Sequence, residues 1–214
     1  MKKAIVYIDG YNLYHGLKEA YGNKYKWLDL QSLAQDFTDN NTEVVAVKYF
    51  TAITKNKINT KLRQEVYLTA LKSHCNKVEI ILGKFLAKEK QCRECGEKYT
   101  TYEEKKTDVN IACQILNDAH LDKYDCCFIV SGDSDLVPPV KIIRESFSDK
   151  KVIIACPPKR KSSELCKSAN NFFSISKQTI AINQLPRVIK RKEKSDLSRP
   201  CKPKRVNTSV KNQT

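Results

Sequence analysis

The sequence predicts a three-layer α/β domain with a central, mainly parallel β-sheet. Short apolar runs, typical of strands buried on both faces, alternate about five times with segments in which apolar residues recur every three or four positions. Such alternation favours strands joined by crossover helices. A length of 214 residues suits one domain with an appendage.

Each element follows from its local pattern. Val- and Ile-rich runs predict strands, and a weaker run predicts a further short strand: 4–8, 43–53, 78–86, 128–130 and 151–157, then 178–183. Helical spacing predicts the connecting helices: 13–21, 30–37, about 17 residues ending near Cys75, 108–121, 139–147 and 163–171. In the fourth of these, the expected core stripe is Val109, Ala112, Leu116 and Ala119.

Two segments depart from the alternation. Residues 88–106 are charged and lack periodicity, which indicates an insertion in the domain. Residues 186–214 contain ten Lys or Arg and only two acids, with few apolar residues. We therefore expect a domain over 1–185 and a disordered basic tail over 186–214.

The charge balance indicates a polyanionic partner. Lys and Arg outnumber Asp and Glu by 39 to 24, a formal net charge of +15. A tail that serves only solubility is the alternative for residues 186–214. The apolar run AIVYI is too short for a signal peptide core and meets Asp9 at once, so we expect a cytoplasmic protein without a membrane segment.

Acidic residues follow two strands and open one helix. Asp9 ends the run AIVYI, Asp133 and Asp135 follow the run FIV through Ser-Gly, and Asp108 opens a helix. The carboxyl ends of parallel strands meet at one edge of a sheet, where α/β folds bind ligands. Helix capping explains the same residues without a site: Asn12 or Thr107 as caps, and Asp108 in a first turn.

Carboxylates held this close repel one another unless they are protonated or bind a cation. All-oxygen ligation favours Mg²⁺ or Mn²⁺ over zinc, and such a site can activate water against a phosphodiester. A P-loop, a Gly-rich dinucleotide motif and a serine hydrolase signature are absent. On a basic protein, the acids therefore predict hydrolysis of nucleic acid.

The insertion carries a second metal-binding pattern. Cys92 and Cys95 form a C-x-x-C-G turn, which is half of a tetrahedral zinc site. Either His74 and Cys75 complete the set, or two chains share one zinc in a homodimer. A reduced, mobile loop is the alternative without metal.

Three stretches carry a family resemblance. IVYIDGYNLYHG, KKTDVNIACQIL and FIVSGDSDLVPPVKII, in that order, resemble the NYN domain in its LabA-like branch, a relative of PIN-type nucleases. The similarity covers about residues 3–175 and implies a PIN-like fold, a sheet order of 3-2-1-4-5 and metal-dependent endoribonuclease activity. By motif match, the implied site residues are Asp9, Asn12, Asp108, Asp133 and Asp135.

The expected roles follow from that match. Asp9, Asp108 and Asp133 are the principal ligands of Mg²⁺ or Mn²⁺, Asp135 is a further ligand or orients one, and Asn12 positions a water or phosphate. The hypothesis is a ribonuclease. The alternatives are an RNA-binding module of the same fold without useful turnover and a phosphatase acting on a small phosphoester.

Residues near the acids are candidates for contacts with RNA. Ser131 lies beside Asp133, and Tyr11 offers a ring for base stacking, as does Tyr14. Basic residues cluster where the third helix begins, and these are expected to contact phosphates: Lys55, Lys57, Lys61 and Arg63. Packed tyrosines and a solvated helix start are the alternatives.

Overall fold

A central sheet of six parallel strands organises the computed structural model, which describes residues 1–53, 58–91, 93–189 and 197–198. The strands are β1 (Lys2–Asp9), β2 (Thr42–Thr51), β3 (Val78–Leu82), β4 (Lys84–Gln91), β5 (Lys98–Lys105), β6 (Cys126–Val130), β7 (Lys151–Cys156), β8 (Asn171–Ser174), β9 (Val188–Ile189) and β10 (Leu197–Ser198). The helices are α1 (Gly10–Tyr21), α2 (Leu30–Gln35), α3 (Ile58–His74), α4 (Thr107–His120), α5 (Val137–Ser146), α6 (Ser163–Ser168) and α7 (Lys177–Ile182), with a 3₁₀ turn at Ser134–Leu136.

The strand order of the main sheet is β3-β2-β1-β6-β7-β8, and each neighbouring pair is parallel. Counting only these strands, the order is 3-2-1-4-5 with a sixth strand added at the edge, so the expected order is confirmed. The chain winds outward from β1 through β2 to β3, then returns to the other side of β1 with β6. The point at which the winding reverses therefore lies between β1 and β6, which is where open α/β sheets bind ligands.

Two hydrophobic layers cover the two faces of the sheet. Side chains of β1 alternate between them: Ala4, Val6 and Ile8 pack in one layer with α1, α2 and α3, while Ile5 and Tyr7 pack in the other with α4, α5 and α6. The strand is buried on both sides, as a continuous apolar run requires. The predicted three-layer architecture is confirmed.

The charged insertion forms a β-hairpin. The strand expected over 78–86 ends at Leu82, and β4 then pairs antiparallel with β5 from Lys84↔Lys105 to Gln91↔Lys98. The described part of the segment 88–106 therefore contains regular strands, whereas the alternative to a zinc site was a loop. Cys92 lies outside the described residues, whereas Cys95 is exposed and free.

Two other expectations are corrected by the packing. Residues 178–183 were expected to form a strand but lie in α7 and the residue after it, and the sixth strand of the sheet is β8. In α4 Ala119 is buried as expected, but Val109 is 64% exposed, and the other buried apolar residues are Ile111 and Ile115, so most of the expected stripe is displaced around the helix.

The tail predicted over 186–214 falls mostly outside the described residues. Within it, β9 and β10 form a short antiparallel pair, and 190–196 and 199–214 are not described. Across the described ranges, none of the helices combines the length and the apolar character that a membrane crossing needs.

Candidate metal centre

Asp9 is the last residue of β1 and caps the helix that follows. Its Oδ1 accepts a hydrogen bond from the backbone N–H of Asn12 at 2.9 Å, and its Oδ2 accepts one from the Ser131 hydroxyl at 2.9 Å. The side chain is buried. The alternative in which Asn12 caps α1 is wrong, because the carboxylate of Asp9 takes that position.

The turn after β6 is held to the start of α1 by side-chain hydrogen bonds. The Asn12 carbonyl oxygen accepts from the Gly132 N–H at 3.0 Å, and the Ser131 hydroxyl accepts from the Asp133 N–H at 3.1 Å. Asp133 Oδ1 in turn accepts from the Asp135 N–H at 3.0 Å. Asn12 and Ser131 thus fix the position of Asp133 relative to Asp9.

Gly132 is required by a close approach between two chain segments. A Cβ placed on this residue would lie 2.5 Å from the carbonyl oxygen of Arg160 and 2.7 Å from its carbonyl carbon. Real side chains do not tolerate such contacts with backbone atoms. The loop after β7 therefore closes against the acidic turn only because residue 132 is glycine.

Asp108 enters the site from the first turn of α4. The N-cap position belongs to Lys106, at a φ of 77° and without a side-chain capping bond. The expectation that Thr107 caps this helix is wrong, since Thr107 is already helical and buried. The exposed Asp108 carboxylate is left to face the two acids of the strand ends.

Asp9, Asp108 and Asp133 each offer an oxygen atom, and these oxygens all lie within 4.8 Å of one another. Within the described part of the chain, this is the one group in which three acidic, His or Cys side chains could share a cation. Burial raises the pKa of Asp108, and the negative charges of Asp133 and Asp135 raise it further. A hard divalent cation with oxygen ligands matches this donor set and would offset the repulsion.

Asp135 does not join that group. Its side chain is exposed and its own backbone N–H is bound to Asp133, although its charge is close enough to act on Asp108.

A buried ionic network that the sequence reading missed anchors α4 behind the site. Asp118 is fully buried, and its Oδ2 accepts from Lys48 Nζ at 2.6 Å and from the Tyr7 hydroxyl at 2.8 Å. Lys48 interrupts the apolar run of β2, and Asp118 lies on the apolar face of α4. Each is a polar residue at a position that the pattern assigns to the core, and that is the signal that could have found the pair.

The remaining predicted residues are dispersed. Arg63 is exposed, and its Nε donates to the carbonyl of Asn59 in the preceding turn of α3. His74 and Cys75 contact the carboxylate of Asp29, each at 3.4 Å. Lys55, Lys57 and Cys92 lie outside the described residues, so the RNA contacts and the zinc site stay predictions.

The fold and the position of the acids define a class of protein. A parallel sheet of order 3-2-1-4-5, with carboxylates gathered at its point of reversal, describes an α/β domain of the PIN-like nuclease type. The sequence of this chain matches the NYN domain over residues 3–176, which is most of its length. The chain belongs to the NYN domain family, which is part of the PIN-like nuclease superfamily.

Two relatives extend the comparison. The chain is 32% identical to 6-hydroxy-3-succinoylpyridine 3-monooxygenase HspA of Pseudomonas putida, over 86% of this chain and 70% of that protein. It also resembles the crystal structure of a Vibrio parahaemolyticus protein of unknown function, with a TM-score of 0.57 and 25% identity over 82% of this chain and 94% of the other.

Proposed function

We propose that this protein is a ribonuclease that hydrolyses RNA phosphodiester bonds with Mg²⁺ or Mn²⁺ held by Asp9, Asp108 and Asp133. The observation that carries the proposal is the grouping of three carboxylates within 4.8 Å at the point of reversal of the sheet. The nuclease-type family of the chain and its net charge of +15 support a polyanionic substrate.

The three carboxylates have different roles in holding the cation. Asp9 is rigid, because its two oxygens accept bonds from Asn12 and Ser131, and it sets the position of the cation. Asp133 is held by its own backbone bond to Ser131, and Asp108 adds a third oxygen ligand from the first turn of α4. A cation bound here supplies an acidified water and stabilises charge that develops on the phosphate.

Hydrolysis forms a bond from a water oxygen to phosphorus and breaks one P–O ester bond. Asp135 is exposed and its charge acts on Asp108, which supports a role for it in orienting a water or a ligand. Ser131 holds Asp9 and Asp133 in position, since its hydroxyl is buried between them.

Metal binding is tested separately from activity, by thermal unfolding with and without Mn²⁺. At a hundredfold excess over the dissociation constant, binding to the folded state stabilises by about 2.7 kcal/mol, or roughly 5–10 °C for a domain of this size. We expect the rise in wild type and its loss in Asp133→Asn. Asp149→Asn is the matched control, since Asp149 is exposed and precedes β7 at the opposite edge of the sheet.

Activity is tested on a labelled single-stranded RNA with Mg²⁺ or Mn²⁺, using the double variant Asp9→Asn/Asp133→Asn. We expect cleavage by wild type and by Asp149→Asn, and none by the double variant. Cleavage that persists in the purified double variant would refute the proposed site. Metal binding and RNA binding without cleavage would favour the alternative of a binding module without turnover.

The relative from Pseudomonas putida supports a second candidate. Its name assigns it a monooxygenase reaction on a pyridine, and it is 32% identical to this chain over most of its length. A monooxygenase inserts one oxygen atom of O₂ and reduces the other to water with two electrons from a reductant. Oxygen uptake with 6-hydroxy-3-succinoylpyridine and a reduced nicotinamide, absent without the pyridine, would favour this candidate over the ribonuclease.

A further inference from the structure

The outer face of α1 carries aromatic and basic side chains next to the acidic site. Tyr11, Tyr14, His15 and Lys18 follow helical spacing, and the opposite face of the helix is buried in the core. Tyr11 is 52% exposed and Tyr14 is 38% exposed, so both rings are accessible to a ligand. The rings of Tyr11 and His15 lie in contact, with centroids 4.2 Å apart.

Cations from two other segments gather on the same face. Lys26 Nζ lies 4.3 Å from the centroid of the Tyr14 ring and 3.0 Å from its hydroxyl. Arg160 reaches the face from the loop after β7, where one guanidinium nitrogen contacts Glu19 at 2.9 Å.

The charge of these groups is unbalanced. Burial lowers the pKa of His15, and the positive charges of Lys18, Arg160 and Lys26 lower it further, so the three cations act on the same ring. Glu19 contacts Arg160, and it is itself 54% exposed. A surface on which cations oppose one another beside exposed rings is suited to an anionic ligand that has flat apolar groups.

We propose that this face binds the unpaired bases and phosphates of a single-stranded polynucleotide and leads it into the acidic site. The face, here called the α1 strip, consists of Tyr11, Tyr14, His15, Lys18, Lys26 and Arg160. Bases stack on Tyr11 and on Tyr14, and Lys18 and Lys26 contact phosphates. The inference rests on the proposed function, because it names how the substrate of that site is held.

The α1 strip is continuous with the acidic site. Tyr11 is two residues from Asp9, and the backbone of Arg160 packs directly against Gly132 in the turn that carries Asp133. From Tyr11 to Lys18 the strip is roughly 10 Å long, enough for about three nucleotides at the 3.4 Å spacing of stacked bases. Paired bases would present their edges and not their faces, so the exposed rings favour a single strand over a duplex.

The test is binding of a fluorescently labelled, mixed-sequence 12-nucleotide single-stranded RNA, followed by anisotropy in EDTA so that no cleavage occurs. The same RNA annealed to its complement is the duplex arm. We expect Tyr11→Ala to weaken single-strand binding about tenfold and Tyr11→Phe to leave it unchanged, because the ring and not the hydroxyl stacks.

Salt dependence separates phosphate contacts from stacking. Lys26→Gln should reduce the slope of log affinity against log salt by about 0.7, whereas Tyr11→Ala should leave the slope unchanged. Lys72→Gln is the matched control, since Lys72 is exposed in the last turn of α3, at the end of that helix away from the acids. Thermal unfolding of each variant establishes that it is folded.

The outcomes distinguish this inference from the proposed function. Three results would each overturn the α1 strip. The first is wild-type affinity in Tyr11→Ala, and the second is an equal decrease in the salt-dependence slope in Lys72→Gln and Lys26→Gln. The third is binding of the duplex as tight as binding of the single strand. If wild type cleaves RNA but one of these results is found, the ribonuclease proposal is retained and the α1 strip is rejected. If binding depends on the strip but no cleavage occurs, the α1 strip is retained and the ribonuclease proposal is rejected.

Discussion

The carboxylate of Asp118 should be worth more to stability than any other charged group in this part of the fold. It is fully buried in α4 and accepts hydrogen bonds from Lys48 on β2, Tyr7 on β1, Gln114 and Lys123. The perturbation is Asp118→Ala, which removes the acceptor from every one of these donors.

The size of the expected loss in free energy of unfolding depends on the donors that Asp118→Ala leaves without an acceptor. The Lys48 side chain is only 8% exposed, so its ammonium group loses a close partner in a place that water hardly reaches. Removing one partner of a buried ion pair costs about 3–5 kcal/mol, and the Tyr7 hydroxyl loses its acceptor as well. Lys123 is 47% exposed and can turn to water, so it adds little. We expect a loss of about 4 kcal/mol, a large share of the 5–15 kcal/mol typical of a domain.

The assay is urea unfolding followed by circular dichroism, on Asp118→Ala, Lys48→Met and the double variant. The double variant should be more stable than the sum of the single losses predicts, by about 2–3 kcal/mol, because it leaves no unpaired charge. Glu43→Ala is the control, since Glu43 pairs with Lys77 at 3.0 Å but is 52% exposed. That change should cost less than about 1 kcal/mol.

The pH dependence gives an independent check on Asp118. Burial alone raises its pKa, but hydrogen bonds from Lys48, Tyr7 and Lys123 outweigh burial and hold the pKa below the ordinary value. A lowered pKa contributes stability above the ordinary range near ~4, and this contribution is lost as the pH falls through the folded-state pKa. The difference between wild type and Asp118→Ala should therefore shrink in acid.

Two results would refute this reasoning. One is a loss below about 1 kcal/mol in Asp118→Ala, and the other is strict additivity in the double variant. Either would mean that Lys48 finds another partner or water once the carboxylate is gone.

Three further predictions concern residues at the acidic site. Gly132→Ala should cost about 1–3 kcal/mol and weaken Mn²⁺ binding in a titration, because the new methyl group would displace the loop at Arg160. Asp108→Asn should raise the unfolding temperature in EDTA at pH 7, since its folded-state pKa is raised; the gain should shrink as the pH falls towards ~4 and disappear below that, where the wild-type carboxyl is protonated in both states. Ser131→Ala should lower the free energy of unfolding by about 1–2 kcal/mol and weaken Mn²⁺ binding, since Asp9 loses a hydrogen bond at 2.9 Å; an unchanged Mn²⁺ affinity would show that the hydroxyl does not position the ligand.

The parts of the fold that the sequence predicted are those in which local pattern and burial agree. β1, β6 and β7 are buried runs between turn residues, and no other element competes for such a pattern. The acids at their ends could be predicted to meet because parallel strands end at one edge. The geometry of a parallel sheet is therefore enough to predict that acids far apart in the sequence lie close together in the fold.

The errors arose where a distant partner decides the outcome. In α4 two apolar stripes are compatible with helical spacing, and the stripe that is buried contains Asp118. Its carboxylate pairs with Lys48, 70 positions earlier in the chain, which is a partner that local spacing cannot reveal. The hairpin of β4 and β5 was not predicted for a different reason: its strands do not alternate between apolar and polar residues, and the apolar residues at the start of β4 continue the run that predicts β3.

The same acids can serve either candidate reaction, so they identify the site without identifying the chemistry. Asp108 is strained electrostatically by its neighbours, and a bound cation would relieve that strain whichever substrate lies beside it. Loss of activity in an Asp133 variant would therefore show that the site is needed without showing which substrate it acts on. The side chains that contact the substrate do differ between the two, because a polynucleotide extends beyond the acids whereas a single pyridine does not. Tyr11 and Lys26 lie along that extension, so their contribution to binding bears on the identity of the substrate in a way that the carboxylates cannot.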